Sequence, residues 1–431
     1  MFSFVFAAVL TLASPAEARS LARASQTEPA RQPAQAEMEE LRRRLDVLAQ
    51  EIERLRSGEE EAELTEAERR TLAVAPSAAA VYRKRQGVSF AGYGEMLYER
   101  YDQSIESGAR DPRAARLDFL RLILYSGYRF NERFLLNSEI ELEHSNEASV
   151  EFAYVDFRLN DFATLRGGLV LLPMGLVNEF HEPTVFIGSR RPETETRILP
   201  STWRENGFGL LGARGPVSYR AYVVNGLDAA GFNSDGLRGG RQKGARAQAA
   251  DMAIVARADV TPTAGVFVGG SIYSGQSDQD QFMADGSPID VATTIGEVHG
   301  QAQLRGLDVR ALYARASLGG VAGLNAALGL TGDTGVGSAM SGGYTQVGYN
   351  VLNRRGTAVE LTPFYRFERV NTHAEVPEGF LIDPSRKIEF QTLGLELRPV
   401  TGVVVKADYQ WISNDARTGR NQFNVVLGYA F

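Results

Sequence analysis

Charged side chains are concentrated in one long segment, Leu172 to Glu205, whose composition suits an ion-sorting element. It carries four arginines and five glutamates, with four prolines that stiffen the backbone and no lysine. Rings of charge in a water-filled constriction sort ions by sign, and irregular backbone is tolerated at membrane depth where it lines water. The segment is therefore predicted to fold into a passage, and its candidate residues are Arg190, Arg191, Arg197, Arg204, Glu193 and Glu195.

Catalytic and metal chemistry have no comparable signal in this chain. No two of its four histidines are separated by a metal-ligand spacing, and neither a G-x-S-x-G elbow nor a Walker-type loop occurs. Without cysteines there can be no disulfide framework and no thiolate metal site. A net charge of −7 argues against a nucleic-acid binder. We therefore expect no enzymatic activity, no cofactor, no metal and no nucleic-acid partner.

Alternating strands supply the elements that position these charges. From about Gly87 onward, apolar and polar residues alternate with the period of two that is typical of β-strands. In 134–144, Leu136, Ile140 and Leu142 face one way, whereas Asn137 and the glutamates between them face the other. A small barrel would fill its interior with apolar side chains, so an inner face this charged indicates a wide, wet barrel.

Turns and loops alternate in length along the same region. Tight turns such as 160–161, 214–216 and 305–306 are separated by longer polar segments, as in outer-membrane barrels. The last strand, 423–431, ends on an aromatic residue with an apolar outer face. Mean hydropathy is −0.20, and beyond the N-terminal apolar run no stretch approaches the ~20 apolar residues of a membrane helix. These features predict an all-β, transmembrane antiparallel β-barrel of about 16 strands over residues 87–431.

Arginines also recur on the inward face of the predicted strands, and two interpretations of them remain open. They could form a ladder that attracts anions, or they could pair with inward acids such as Asp156 and Asp259 and stiffen the wall. The candidates are Arg121, Arg158, Arg166, Arg220, Arg257, Arg310, Arg366 and Arg398.

The region before the barrel has a different composition. Residues 1–18 have the apolar run and small-x-small site of a signal peptide, and 19–35 is a polar linker. Apolar residues at alternating steps of three and four predict a coiled-coil helix over 36–57, either an oligomerisation stalk or a lone amphipathic helix. Residues 58–86 are predicted to be a linker, with a flexible tether from Ala73.

Four short segments of the barrel region, together with the order of signal peptide, coiled coil, linker and barrel, are similar to a known family. The segments are Glu151-Phe152-Ala153-Tyr154-Val155-Asp156-Phe157, Leu165-Arg166-Gly167-Gly168-Leu169, Leu172-Pro173-Met174-Gly175-Leu176 and Gly428-Tyr429-Ala430-Phe431. The chain resembles the phosphate-selective porin O and P family of Gram-negative outer membranes. The resemblance implies a sixteen-stranded trimeric channel with its third loop folded inward. The chain departs from the family in one respect, because phosphate-selective members use lysines with arginines near the constriction and the predicted constriction loop of this chain has no lysine.

Two functions follow from these observations. The first is an outer-membrane porin that lets small hydrophilic solutes diffuse passively, with a preference for phosphate-like anions. The second is a structural anchor in which the coiled coil tethers the envelope and the barrel does not conduct. In both, the partners are outer-membrane lipid and copies of the chain in a homotrimer, with the N-terminal helix in the periplasm of a Gram-negative bacterium.

Overall fold

A computed structural model describes residues 42–47, 63–281, 283 and 286–431. The chain divides into two units, Met1–Gly58 and Glu59–Phe431. In the first unit the structure describes only residues 42–47, an exposed helical stretch designated α1. The predicted signal peptide and first linker, and most of the predicted coiled coil, lie outside the described residues.

The second unit is a closed antiparallel β-barrel, and its described residues form sixteen strands. Each strand pairs with its neighbours in the chain, and β1 pairs with β16 to close the cylinder. This confirms the predicted fold and strand number. The strands are β1 Gly87–Tyr101, β2 Arg116–Arg129, β3 Phe134–Glu143, β4 Glu147–Asn160, β5 Ala163–Leu171, β6 Arg204–Arg214, β7 Val217–Asn225, β8 Met252–Thr263, β9 Val266–Gln276, β10 Ala292–Leu304, β11 Leu307–Leu318, β12 Ala339–Tyr349, β13 Glu360–Glu375, β14 Lys387–Val400, β15 Val403–Asn414 and β16 Gln422–Ala430.

The outward face of the strands is apolar, and the inward face carries the charged residues together with apolar ones that pack inside the barrel. In β16, Phe423 and Leu427 are exposed while Asn424 and Val426 are buried. Beyond it, the backbone N–H of Phe431 donates to the carbonyl of Gly92 at 2.9 Å, and the reciprocal bond has the same length. These two bonds extend the seam between the first and last strands.

Loop lengths alternate around the barrel. At one end the strands are joined by short turns, the longest of which, 350–359, joins β12 to β13. The other end carries the long loops, including 172–203, 226–251 and 319–338. Helices α3 Thr194–Arg197 and α4 Val321–Ala327 lie in two of these loops. Among the described residues, no helix combines the length and apolar character needed to cross a membrane.

Part of the stretch predicted as a linker is folded and packed inside the barrel, so the expectation of a flexible tether from Ala73 is wrong. Helix α2, Glu66–Leu72, begins with a capping box, in which Thr65 N–H donates to the Glu68 carboxylate at 2.8 Å and the Thr65 hydroxyl accepts from Glu68 N–H. A 3-10 helix, Ala78–Arg83, follows.

Wall side chains hold this inserted segment, residues 63–86, by its backbone. Arg166 of β5 donates to the Leu72 carbonyl at 2.8 Å, and Asn137 of β3 donates to the Ala78 carbonyl at 2.9 Å. Because these donors lie on distant strands, the helix signals in 63–86 could be read from the sequence but the docking could not.

Candidate ion passage inside the barrel

The loop between β5 and β6, residues 172–203, folds into the lumen, and we call it the constriction loop. Its apolar residues Leu172, Met174, Ile198, Leu199 and Trp203 are completely buried. They pack with wall residues into one cluster of apolar side chains, so the barrel encloses a core of its own.

Cationic side chains of four wall strands bind the middle of the constriction loop. The middle of the loop runs through turns and bends, so its carbonyls have no ladder partner, and buried carbonyls need donors. Four wall cations supply those donors, so they act neither as a free ladder nor only as partners of wall acids. The hydrogen bonds to loop carbonyls run from Arg398 to Thr184 at 2.7 Å, from Arg310 to Val185 at 2.9 Å, from Lys406 to Phe186 at 2.6 Å and to Gly188 at 3.1 Å, and from Arg366 to Arg190 at 3.1 Å.

Carboxylates satisfy the N–H groups of the same loop. Asp408 accepts from Ser189 N–H, and Glu368 accepts from Thr194 N–H, each at 2.6 Å. Glu195, within the loop, accepts from Val177 N–H at 2.7 Å and from the Tyr344 hydroxyl at 2.6 Å. Burial raises the pKa of Glu195, and those two donors partly oppose the shift. Glu195 therefore ties the end of the loop to its beginning.

The eight predicted lumen-wall arginines all lie on inward positions, but their environments differ. Six are buried, Arg398 is half-buried, and Arg158 lies exposed at the rim beside Asp161. Most of them contact acids: Arg166 pairs with Asp156 at 2.8 Å, and Arg257 pairs with Asp259 at 2.8 Å. The remaining acid pairs are Arg121 with Glu95, Glu141 and Glu143, Arg220 with Glu179 and Asp259, Arg257 with Glu179, Arg310 with Asp308, and Arg398 with Glu396 and Glu360.

Three of the four candidate arginines associated with the constriction loop have an acid partner, and the other does not. Arg190 pairs with Glu99 of β1, Arg197 pairs with Glu193 at 2.8 Å and with Asp235 at 2.9 Å, and Arg204, at the start of β6, pairs with Glu151 of β4 at 2.8 Å. Among the described residues, Arg191 has no carboxylate partner, and its Nη2 atom is buried without a hydrogen bond.

Two arginines of the loop 226–251, Arg238 and Arg241, likewise have no carboxylate partner among the described residues, and they were not identified from the sequence. We call Arg191, Arg238 and Arg241 the arginine group; within the described part of the chain none of the three pairs with a carboxylate. Burial and then Arg191 lower the pKa of Arg238 to about 10, while burial followed by Arg238 and Arg204 lowers that of Arg241 to about 9. The run of cations from Arg238 to Arg246 was a signal that could have been used.

Two cavities lie on opposite faces of the constriction loop. The one toward the long loops, about 640 Å³, is lined by Phe186, Arg190, Arg191 and Arg238 among others. The one toward the short turns, about 440 Å³, is lined by Val185 and Ile187 from the loop and by α2. Consecutive residues thus face different cavities, which makes 185–187 the partition between them.

The constriction loop also brings His181 beside two wall glutamates. One donor atom each of His181, Glu139 and Glu151 lies within 4.8 Å of the others, and all three residues are buried. They come from the loop, β3 and β4, so no spacing along the chain could have indicated this cluster.

Solved structures share the architecture at low sequence identity. OmpF of Salmonella typhi, in complex with daunomycin, aligns with a TM-score of 0.53 at 9% identity, over 80% of this chain and 98% of that chain. OmpT of Vibrio cholerae, an outer membrane protein in trimer form, aligns with a TM-score of 0.51 at 13% identity, over 81% of this chain and 100% of that one. At such identities the likeness shows the fold alone.

One relative is close in sequence, whereas no family model matches the chain. An uncharacterized protein of Aquifex aeolicus (strain VF5) is 36% identical over 356 residues, which cover 78% of each chain. The chain therefore belongs to the same family as this Aquifex aeolicus protein.

Proposed function

We propose that this protein is an outer-membrane porin that lets small hydrophilic solutes diffuse passively and favours phosphate-like anions. The closed barrel with its apolar exterior supports a place in a lipid bilayer, since closure satisfies every strand edge. The fold shared with OmpF and OmpT supports the outer membrane of a Gram-negative bacterium. The trimer form of OmpT supports a homotrimer for this chain too.

Arg191 and Arg238 of the arginine group are the observation that carries the anion preference; the third member, Arg241, donates to the Thr202 carbonyl at 2.7 Å. Other buried cations of the lumen contact acids or the carbonyls of the constriction loop, whereas Arg191 and Arg238 line a cavity with guanidinium nitrogens that lack partners among the described residues. A bound anion would supply those partners, and guanidinium groups bind phosphate-like oxygens in a bidentate way. The resemblance to the phosphate-selective family supports the porin architecture, whereas the solute class rests on the arginines, because the constriction loop has none of that family's lysines.

Reconstitution into planar bilayers tests this proposal. We expect steady ohmic current steps, a reversal potential displaced toward anions under a salt gradient, and block of chloride current by inorganic phosphate. Each charge-assisted hydrogen bond contributes about 1.5–3 kcal/mol, so Arg191→Gln with Arg238→Gln should weaken phosphate block by at least about tenfold.

A matched control is the double variant Arg315→Gln with Arg369→Gln, which removes the same charge from exposed sites paired with Glu375 and Glu389. Phosphate block should be unchanged in this control. Equal phosphate block in the wild type and the Arg191 and Arg238 variant would contradict the anion site while leaving the porin assignment intact.

The alternative of a non-conducting anchor is favoured by the segment 63–86 and the constriction loop, which both occupy the lumen. It predicts an absence of current steps from correctly folded protein in the bilayer. Conductance therefore decides between the two functions.

A further inference from the structure

His181, Glu139 and Glu151 form a buried cluster in which one nitrogen faces two carboxylates. The His181 Nε2 atom lies 3.3 Å from a Glu139 oxygen and 3.6 Å from a Glu151 oxygen. Charge-assisted hydrogen bonds between nitrogen and oxygen are normally about 2.7–2.9 Å long. Both separations are thus longer than a strong direct bond would produce.

The orientation of the imidazole is set from behind by the backbone. His181 Nδ1 lies 2.8 Å from the Asn178 carbonyl, which can only accept, so Nδ1 carries the proton. Asn178 is itself held, because its side-chain amide donates to the carbonyls of Leu172 at 2.7 Å and Trp203 at 2.9 Å. In the neutral ring the lone pair of Nε2 therefore points at the two glutamates. A partner on the second nitrogen is how proteins orient metal-binding histidines.

Each of the two glutamates has a carboxylate oxygen that could bind a metal ion. Glu139 and Glu151 are completely buried. Glu151 Oε2, which lies 3.6 Å from His181 Nε2, has no hydrogen-bond partner among the described residues. Glu139 faces His181 with Oε1, and its other oxygen, Oε2, has no partner among the described residues. Arg204 binds the other oxygen of Glu151 at 2.8 Å and so aligns that carboxylate without occupying Oε2. A buried carboxylate oxygen without a partner is costly, and a cation at this point would supply one.

A second lumen histidine shows what a fully hydrogen-bonded arrangement looks like in the same barrel. His299 also has two acidic neighbours, but each binds a different nitrogen, Asp259 on Nε2 at 2.7 Å and Glu297 on Nδ1 at 2.8 Å. That imidazole contacts one carboxylate with each nitrogen at hydrogen-bond length, and Arg257 Nη2 also lies 2.8 Å from Nε2. At His181, by contrast, the single atom Nε2 faces both carboxylates, at 3.3 Å and 3.6 Å.

We infer that His181, Glu139 and Glu151 form a binding site for a divalent transition-metal ion, with Zn²⁺ the best fit to one imidazole and two carboxylates. Bonds of about 2.0–2.2 Å at tetrahedral angles place neighbouring ligand atoms about 3.4 Å apart, which is close to the separations at His181 Nε2. Mg²⁺ and Ca²⁺ favour all-oxygen sites and suit this cluster less well. Three protein ligands leave further positions for water or a solute.

The competing state of the cluster is a metal-free ion pair. Burial lowers the pKa of His181 and the Glu139 carboxylate raises it, with a net rise. A protonated His181 would then sit between the glutamates in place of an ion. The two states differ in composition, so direct metal measurement separates them.

Metal binding can be measured on the full-length protein folded in detergent. After EDTA treatment and removal of the chelator, equilibrium dialysis against Zn²⁺ alone should load one high-affinity ion per chain, as counted by elemental analysis. Glu151→Gln and His181→Gln should each weaken this binding by about 100-fold or more. The matched control His299→Gln should bind Zn²⁺ as the wild type does.

X-ray absorption on the Zn²⁺-loaded wild type provides a readout that needs no variant to fold. We expect a first shell of one imidazole nitrogen with the remaining ligands oxygen. Failure of the folded wild type to retain Zn²⁺, retention equal in His181→Gln, or a shell without imidazole would overturn the site. None of these outcomes depends on the proposed anion preference, so the two proposals fail separately.

Discussion

The Nζ atom of Lys406 lies 2.6 Å from the carbonyl oxygen of Phe186 and 4.0 Å from the centroid of its ring. The lysine is completely buried in β15, and it donates to Gly188 of the same loop as well. One wall cation thus binds the constriction loop at the residues that separate the two cavities. This contact links the position of the loop to the size of any passage beside it.

Replacing Lys406 with Met should loosen the constriction loop. The loss leaves two buried carbonyls without their donor, and hydrogen bonds to charged groups contribute about 1.5–3 kcal/mol each. We expect a lower unfolding temperature in detergent and noisier single-channel currents. Lys387→Met is the control, because Lys387 is exposed and pairs only with Asp415 among the described residues. Equal behaviour of the two variants would show that Lys406 does not hold the loop.

Removing the inserted segment should widen the passage. A chain lacking residues 19–86 should conduct more than the wild type, since α2 and the 3-10 helix occupy the lumen at the short-turn end. A chain lacking only residues 19–57 keeps that segment and should conduct as the wild type does. Conductance that is the same in all three chains would show that the segment does not limit flow.

A point substitution tests the same docking without a deletion. A Cβ atom at Gly127 would lie 2.5 Å from Cβ of Val81, which is closer than real side chains approach. Gly127→Val should therefore displace the 3-10 helix and raise conductance, whereas Gly300→Val, where the nearest atom is 3.4 Å away, should not. Limited proteolysis between residues 63 and 86 should increase in Gly127→Val alone.

The constriction loop should become less stable as the pH rises, because Glu195 loses its proton. Burial raises the pKa of Glu195 above its usual 4.5, so the folded state retains a proton that the unfolded chain releases. The contribution of Glu195 is therefore complete below about pH 4.5 and is lost as the pH rises through the raised pKa. Unfolding temperatures from pH 4.5 to 8 should fall less steeply in Glu195→Gln than in the wild type or the exposed Glu378→Gln control.

The amino-acid sequence by itself determined the barrel. Strand side chains alternate strictly between two faces, so the order of residues alone predicts that Leu136 faces outward and Asn137 inward. Short turns and long loops likewise follow from local composition. For the same reason the alternation places each of the eight wall arginines on an inward position, and in any one strand a shift of one residue would have reversed the side chains of that strand.

Only the tertiary structure decided what the inward charges contact. Arg366 and the carbonyl of Arg190 are far apart in the chain, and nothing in either neighbourhood indicates the other. The meeting of His181 with two strands, and the packing of 63–86 against the wall, likewise depend on how loops fold across a closed cylinder. Local periodicity encodes which way a side chain points, whereas its partner across the lumen is set by long-range closure, which leaves no periodic trace in the sequence.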